Sequence, residues 1–126
     1  MKKDEFQKLK KELLEIADYI QNSKQPAYTQ ENSDVLHNFK RIAEDMGITT
    51  MQAWGTYFGK HIASINTFCK NPSAPQAEEL DGRFADAMNY LILGYALMKE
   101  RGVAMLPSEI IDVPKWVEDR TDETNR

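Results

Sequence analysis

Apolar residues recur at steps of three and four along the first part of the chain, which is the spacing of one face of an α-helix. The predicted helix runs from about Asp4 to Ser23, and its apolar face consists of Phe6, Leu9, Leu13, Ile16, Ala17 and Ile20. Proline disfavours helical geometry in the residue before it, so we predict that this helix ends ahead of Pro26. Residues 25–32 then form a polar connection.

Two further helices follow, each with local start and stop signals. The second begins at Ser33 or Asp34, either of which is a good capping residue, and stops at Gly47. The third opens at Thr49, which has capping-box spacing with the glutamine three residues later, and reaches about Lys70. The predicted core-facing residues are Val35, Leu36, Phe39, Ile42, Ala43 and Met46 in the second helix, and Met51, Trp54, Phe58, Ile62, Ile65 and Phe68 in the third.

The fourth helix differs from the others because it is apolar nearly all round. Pro75 and the acids that follow it suit a helix start, and Gly102 suits its end. Between Asp86 and Lys99 the segment carries no charge, and Asn89 is its one strongly polar side chain. Such a helix is expected to be the central, most buried element, or to bury one side against another subunit.

These elements predict an all-α fold, a bundle of four main helices with a short C-terminal element. We assign 1–102 to the helical bundle domain and 103–126 to a C-terminal tail that packs in part and is disordered at its end. The length of 126 residues suits one domain of this kind. We expect a homo-oligomer assembled through the last helix.

Composition and charge argue against several classes of protein. A net charge of −4 and a pI near 5.2 disfavour proteins that bind nucleic acids or anionic membranes by general electrostatic attraction. No segment approaches the ~20 apolar residues of a membrane span, and no apolar signal segment follows the N-terminus. Cys69 is the only cysteine, which allows no intrachain disulfide and favours a reducing compartment. We therefore expect a cytoplasmic protein.

The most informative polar residues are Arg83, Asp86 and Asn89, at the start of the fourth helix. Steps of three residues keep successive side chains near one helix face. An unpaired buried carboxylate is strongly unfavourable, so Asp86 must have a partner. Arg83, Lys60 or His61 supplies that partner in a structural network, or else Asp86 meets a metal ion or a polar ligand.

His61, Asn38 and Tyr28 are further candidates. His61 lies on the apolar face of the third helix, where it is either a hydrogen-bonded core residue or, near Asp86, a base or a group that orients a ligand. Asn38 lies beside the core face of the second helix, where its amide bonds to the backbone or to a ligand. Tyr28 is either an ordinary surface tyrosine or a ring that stacks on a base.

Three segments of the chain resemble a family of small phage and prophage proteins. They are DVLHNFKR at 34–41, KHIASI at 60–65 and GRFADAMNYL at 82–91, and the resemblance covers roughly 28–100. The last segment is also similar to the final motif of the MazG-like all-α nucleotide pyrophosphohydrolases. That resemblance implies a helical bundle assembled as a dimer or tetramer, with magnesium held by helix carboxylates over a nucleoside triphosphate.

The resemblance also implies roles for particular residues. Carried over by position, Asp86 is a metal ligand, Asn89 a metal or ligand contact, and Lys60 a phosphate contact. The chain departs from the pattern at Ala27 and Gly82, where the phage relatives often have acidic residues.

Two functions follow as hypotheses. In the first, the chain is a phage-encoded MazG-like protein of the host cytoplasm that binds, and in its enzymatic form hydrolyses, a nucleotide with Mg²⁺. Its catalytic residues are then Asp86 and His61, its metal ligand is Asp86, and its ligand-binding residues are Asn38, Lys60, Arg83, Asn89 and Tyr28. In the alternative, it is a non-enzymatic phage interaction protein that inhibits a host or defence factor or sequesters a nucleotide.

Overall fold

The computed structural model describes residues 1–29, 34–73 and 79–102, and for 25–29 it describes the backbone alone. Within these ranges the chain forms four helices and no strand, which confirms the predicted all-α bundle. The helices are α1 (Lys3–Thr29), α2 (His37–Met46), α3 (Thr50–Lys70) and α4 (Leu80–Glu100). None of these described helices is both long and apolar enough to cross a membrane. The predicted C-terminal tail, 103–126, lies outside the described residues.

The junction between α2 and α3 forms as its local sequence predicts. Gly47 ends α2 in the left-handed region, with φ 66°, which glycine adopts without a steric penalty. The Gln52 N–H donates to the Thr49 hydroxyl at 3.0 Å, and the Thr49 N–H donates to the Gln52 side chain at 2.9 Å. This reciprocal pair is the predicted capping box.

Three predicted helix boundaries are wrong. α4 begins at Leu80, after Glu79 in an extended conformation, rather than at Pro75. α1 continues through Pro26 to Thr29, where we expected a polar connection. An internal proline removes one backbone hydrogen bond, and a long helix can continue past that loss. α2 begins at His37 rather than at Asp34, because the Asp34 carboxylate accepts the Leu36 N–H at 2.9 Å in a turn ahead of the helix.

α4 packs along both α1 and α3, as expected of a central helix. α2 packs against α3 and α1, so the four helices enclose one core. The centre of this core consists of Leu36, Phe39 and Leu97, which are all buried. The partly buried residues around it are Met51, Trp54, Tyr57, Tyr90 and Leu93.

Trp54 sets how closely α3 approaches α4. Its indole N–H donates to the Tyr90 carbonyl at 2.7 Å, and its ring lies against the α4 backbone at Gly94. Gly94 is buried, and a Cβ at this position would overlap the indole ring. Gly94 is therefore required by the close approach of the tryptophan to the helix.

One side of α4 is apolar and yet exposed. It carries Phe84, Leu91, Ile92 and Tyr95, whose exposed fractions lie between 41% and 69%. We call these four residues the apolar stripe. Phe84, Leu91 and Tyr95 follow one another at steps of seven and four, which places them on the same face of the helix. α4 is therefore central and still presents an apolar face that the described residues leave exposed.

Candidate functional site

A cleft between α1, α2 and α4 brings together five polar side chains. These are Gln21 and Lys24 of α1, Asn38 of α2, and Asp86 and Asn89 of α4. The apolar and aromatic walls consist of Ile20, Val35, Phe39, Tyr90 and Leu93. The enclosed volume is about 30 Å³, which is room for about two water molecules. A larger ligand would therefore insert one edge and keep its remainder at the mouth of the cleft.

Asp86 is partly buried in this cleft and forms an ion pair with α1. Its side chain is 14% exposed, and its Oδ1 lies 3.7 Å from Nζ of Lys24. The ion pair is thus formed with Lys24 and not with Arg83, Lys60 or His61, the partners that we expected. The Lys24 side chain is 49% exposed, so its ammonium group can also face a ligand in the mouth of the cleft.

Sequence reasoning missed Lys24 because the first helix was predicted to end before it. In the structure α1 continues past this position. Lys24 lies seven residues after the buried Ala17 and four after Ile20, so it shares the core-facing side of the helix. Gln21 lies four residues after Ala17, inside the helix that the sequence predicts, and shares the same side. A lysine and an amide at core-facing spacing are the signal that could have located both.

Asn89 is the buried polar side chain that joins α4 to α1. It is 8% exposed, and its Nδ2 donates to the Ala17 carbonyl at 2.9 Å. A carbonyl oxygen only accepts, so this contact fixes the orientation of the amide. The amide oxygen of Asn89 is then the group that can accept a hydrogen bond from a ligand.

The Asn38 amide, at the rim of the cleft, is bonded through its oxygen, whereas the Asn89 amide is bonded through its nitrogen. The Oδ1 of Asn38 accepts a hydrogen bond from the Arg41 guanidinium at 3.2 Å. A guanidinium only donates, so the Asn38 amide nitrogen remains as a donor toward other groups. The contact also places the positive charge of Arg41 beside a residue that lines the cleft.

Arg83 contacts α3 instead of the cleft. Its guanidinium donates to the Ser64 carbonyl at 3.3 Å and to the Ser64 hydroxyl, and it lies 5.1 Å from the Phe68 ring centroid. Its Nε is buried and has no hydrogen-bond partner within the described residues. An α-helix turns about 100° per residue, so two steps of three residues leave an offset of about 120° between Arg83 and Asn89. The two side chains therefore face different helices.

His61 and Lys60 contact the aromatic residues beside the cleft and are not part of its lining. The His61 ring lies 4.3 Å from the Tyr90 ring, centroid to centroid. Lys60 Nζ lies 5.5 Å from the Tyr57 ring centroid, and Tyr57 stacks on Tyr90 at 6.5 Å. Tyr28 is in the last turn of α1, and its side chain lies outside the described residues.

The described residues do not by themselves fit the magnesium site that the resemblance implies. Among them, no three acidic, histidine or cysteine side chains are grouped so that they could hold a metal ion. Asp86 is the one carboxylate in the cleft lining, and the Lys24 ammonium group already lies 3.7 Å from it. Magnesium therefore stays a prediction that would depend on oxygen ligands from a bound phosphate.

The resemblance to small phage proteins, carried by the segments at 34–41, 60–65 and 82–91, stays a prediction. Comparison of the chain with family models, with curated proteins and with solved structures finds no match.

Proposed function

We propose that this chain binds a nucleotide in the cleft between α1, α2 and α4. The proposal rests on the Asp86 carboxylate, which lies partly buried beside Lys24. The amide of Asn89 lines the same cleft. Burial of polar groups is unfavourable unless partners compensate for the lost water. Sites for small molecules combine apolar and aromatic walls with a few such oriented polar groups.

The base and the phosphate of a nucleotide each have a counterpart in or beside this cleft. Tyr90, which packs edge to face on the buried Phe39 at 6.0 Å, supplies aromatic wall surface for a base. Asp86 and Asn89 can hydrogen-bond to the edge of that base. Arg41, which contacts Asn38 and pairs with Asp45 at 3.5 Å, supplies a guanidinium beside the cleft, and this group suits a phosphate.

A thermal-shift titration of the full chain with nucleoside monophosphates and triphosphates, with and without Mg²⁺, tests this proposal. A nucleotide that binds the folded state raises Tm as its concentration exceeds Kd. We expect Asp86→Ala to abolish the shift while the helical circular dichroism spectrum is retained. Asp81→Ala, an exposed carboxylate on the same helix, is the matched control and should keep the shift. The absence of a shift with every nucleotide would overturn the proposal.

We extend the proposal to hydrolysis in the host cytoplasm on the strength of the resemblance to the MazG-like pyrophosphohydrolases. Under this extension, release of pyrophosphate or phosphate depends on Mg²⁺ and is lost in Asp86→Ala. Stabilisation by a nucleotide without turnover would instead support a protein that sequesters its ligand.

A second candidate function is that of a non-enzymatic interaction protein, and the apolar stripe on α4 favours it. Contiguous exposed apolar residues commonly mark a surface that binds another protein. If inhibition of a host factor is the function, expression of the chain should slow the growth of a bacterial host. Leu91→Glu should remove this effect, and Asp86→Ala should preserve it. If nucleotide binding is the function, Asp86→Ala should remove the effect on growth and Leu91→Glu should preserve it.

A further inference from the structure

We infer that the cleft is selective for guanine nucleotides, an inference that rests on the proposed nucleotide-binding function. The fixed directions of the hydrogen-bonding groups in the cleft favour this base over the others.

The two polar side chains that α4 contributes to the cleft both offer acceptor oxygens. The Asp86 carboxylate has two oxygens and no proton to donate. The Asn89 amide nitrogen donates one of its two hydrogens to the Ala17 carbonyl at 2.9 Å, and its oxygen can accept a hydrogen bond from a ligand. A ligand edge that bonds to these oxygens must carry N–H donors.

A donor lies directly beside the carboxylate. Lys24 Nζ is 3.7 Å from the Asp86 Oδ1 atom, and an ammonium group only donates. A ligand that bonds to both side chains must therefore present an acceptor next to its donors. An edge that bonds to both carboxylate oxygens and to the ammonium group therefore carries two adjacent donors followed by one acceptor.

Guanine has this order on its Watson–Crick edge. Its 2-amino group and N1–H are adjacent donors that a carboxylate can accept together, and O6 is the neighbouring acceptor for an ammonium group. Adenine and cytosine place a bare ring nitrogen beside their single amino group, so the lone pair of that nitrogen would face the second carboxylate oxygen. Uracil places its N–H between two carbonyls. Asp86 and Lys24 together thus disfavour the other three bases.

The dimensions of the cleft agree with recognition of an edge. An enclosed volume of about 30 Å³ does not hold a whole purine but admits the edge of one. The ribose and phosphate then remain at the mouth. Arg41 bonds to Asn38 at 3.2 Å and pairs with Asp45 at 3.5 Å, and its guanidinium lies beside a residue that lines the cleft, where it could contact a phosphate group.

Isothermal titration calorimetry of the full chain with GMP, IMP, AMP, CMP and UMP tests this selectivity. IMP differs from GMP only by the absence of the 2-amino group. We expect GMP to bind about tenfold more tightly than IMP, a difference that corresponds to about 1.4 kcal/mol. AMP, CMP and UMP should bind more weakly than GMP as well.

Exchange of the carboxylate for an amide gives a sharper test. Asp86→Asn replaces one acceptor with a donor, so GMP should lose affinity and XMP, which has a carbonyl in place of the 2-amino group, should gain it. Asp81→Asn removes an exposed carboxylate from the same helix and should leave the order of affinities unchanged. Lys24→Met should weaken the binding of GMP and of IMP to the same extent, because both carry O6. This variant keeps the test usable if Asp86→Asn does not fold.

The outcomes separate this inference from the function on which it rests. Equal affinity for GMP and AMP, or a preference for GMP that Asp86→Asn leaves unchanged, overturns guanine selectivity while nucleotide binding stands. Failure of every nucleotide to bind a correctly folded chain overturns both.

Discussion

Gly94 and Trp54 show how one residue on each helix sets the distance between α3 and α4. The Trp54 ring occupies the space in which a side chain at position 94 would lie. The hydrogen bond from its indole N–H to the Tyr90 carbonyl, at 2.7 Å, holds the ring in place, so the ring cannot move aside without the loss of that bond.

We predict that Gly94→Ala destabilises the protein. Overpacking of a close contact costs about 1–3 kcal/mol, and the better helix propensity of alanine offsets up to about 1 kcal/mol of that cost. The measurement is the free energy of unfolding from urea denaturation. Gly59→Ala on α3 is the control, because a Cβ there meets no atom within 4 Å, and it should stabilise the protein by about 0.5–1 kcal/mol. Equal gains in both variants would show that the indole does not restrict position 94.

The candidate site could be predicted from the sequence only in part, and the residues show why. Asp86 and Asn89 were identified because polar side chains are conspicuous on an apolar helix, and both line the cleft. Arg83 was grouped with them by its spacing, but the winding of α4 turns it toward Ser64 of α3. Lys24 lies more than sixty residues away in sequence, and local spacing carries no information about which distant helix a carboxylate will face.

At the scale of the elements, Lys40 connects the start of α2 to the end of α4. Its Nζ lies 2.6 Å from Oδ2 of Asp34 and 2.6 Å from Oε1 of Glu100. The hydrogen bond from Lys40 lowers the pKa of Asp34, and the Leu36 N–H lowers it further. The hydrogen bonds to Asp34 and Glu100 in turn raise the pKa of Lys40.

We predict that Lys40→Gln lowers the free energy of unfolding by about 1 kcal/mol or less, because all three side chains are more than one third exposed and solvent screens the pairs. The pKa of Asp34 is lowered, so its contribution is present above its ordinary value of about 3.9 and is lost as pH falls through the folded-state pKa. The pKa of Lys40 is raised, so its contribution is present below about 10.4 and is lost as pH rises through the folded-state value.

Urea denaturation of both proteins across pH checks this prediction. The difference between wild type and Lys40→Gln should stay constant from about pH 5 to 9 and shrink below about pH 4. Lys10→Gln, at an exposed position on α1, controls for the loss of one positive charge. A difference that does not change with pH would contradict a stabilising ion pair.

Helix boundaries could be predicted where the signal is local. The reciprocal bonds of Thr49 and Gln52 span four residues, so their sequence spacing is enough to predict them. The end of α1 is different, because the helix continues past Pro26 in spite of a strong local signal. α1 packs along α4, and such tertiary contacts outweigh local propensity.

At the scale of the whole molecule, the apolar sequence of α4 predicted its central position but not which side would stay open. That side is determined by how α1 and α3 cover the helix. Ala85, Gly94 and Leu97 are buried, and the apolar stripe remains exposed, with Phe84 at its edge beside Leu9 and Leu13 of α1. Exposed apolar side chains also occur elsewhere among the described residues, for example Phe6 and Tyr19 of α1, but the stripe places several of them on one helix.

We predict that the chain self-associates through the apolar stripe. Phe84, Met88, Leu91 and Tyr95 follow one another at steps of four, three and four, the spacing by which two helices interdigitate in a coiled coil. Removal of this surface from water is favourable by about 25 cal/mol per Å². Light scattering after size-exclusion chromatography, at several protein concentrations, should show a mass above that of one chain.

Leu91→Glu should shift the protein toward the monomer, because a glutamate in the seam would be buried without a partner. Tyr19→Glu places the same acid at an exposed apolar position on α1, outside the stripe, and should leave the mass unchanged. If the two variants behave alike, association does not use α4. If wild type is a monomer at every concentration, the stripe must have another role, and binding of a different protein becomes the better account of its exposure.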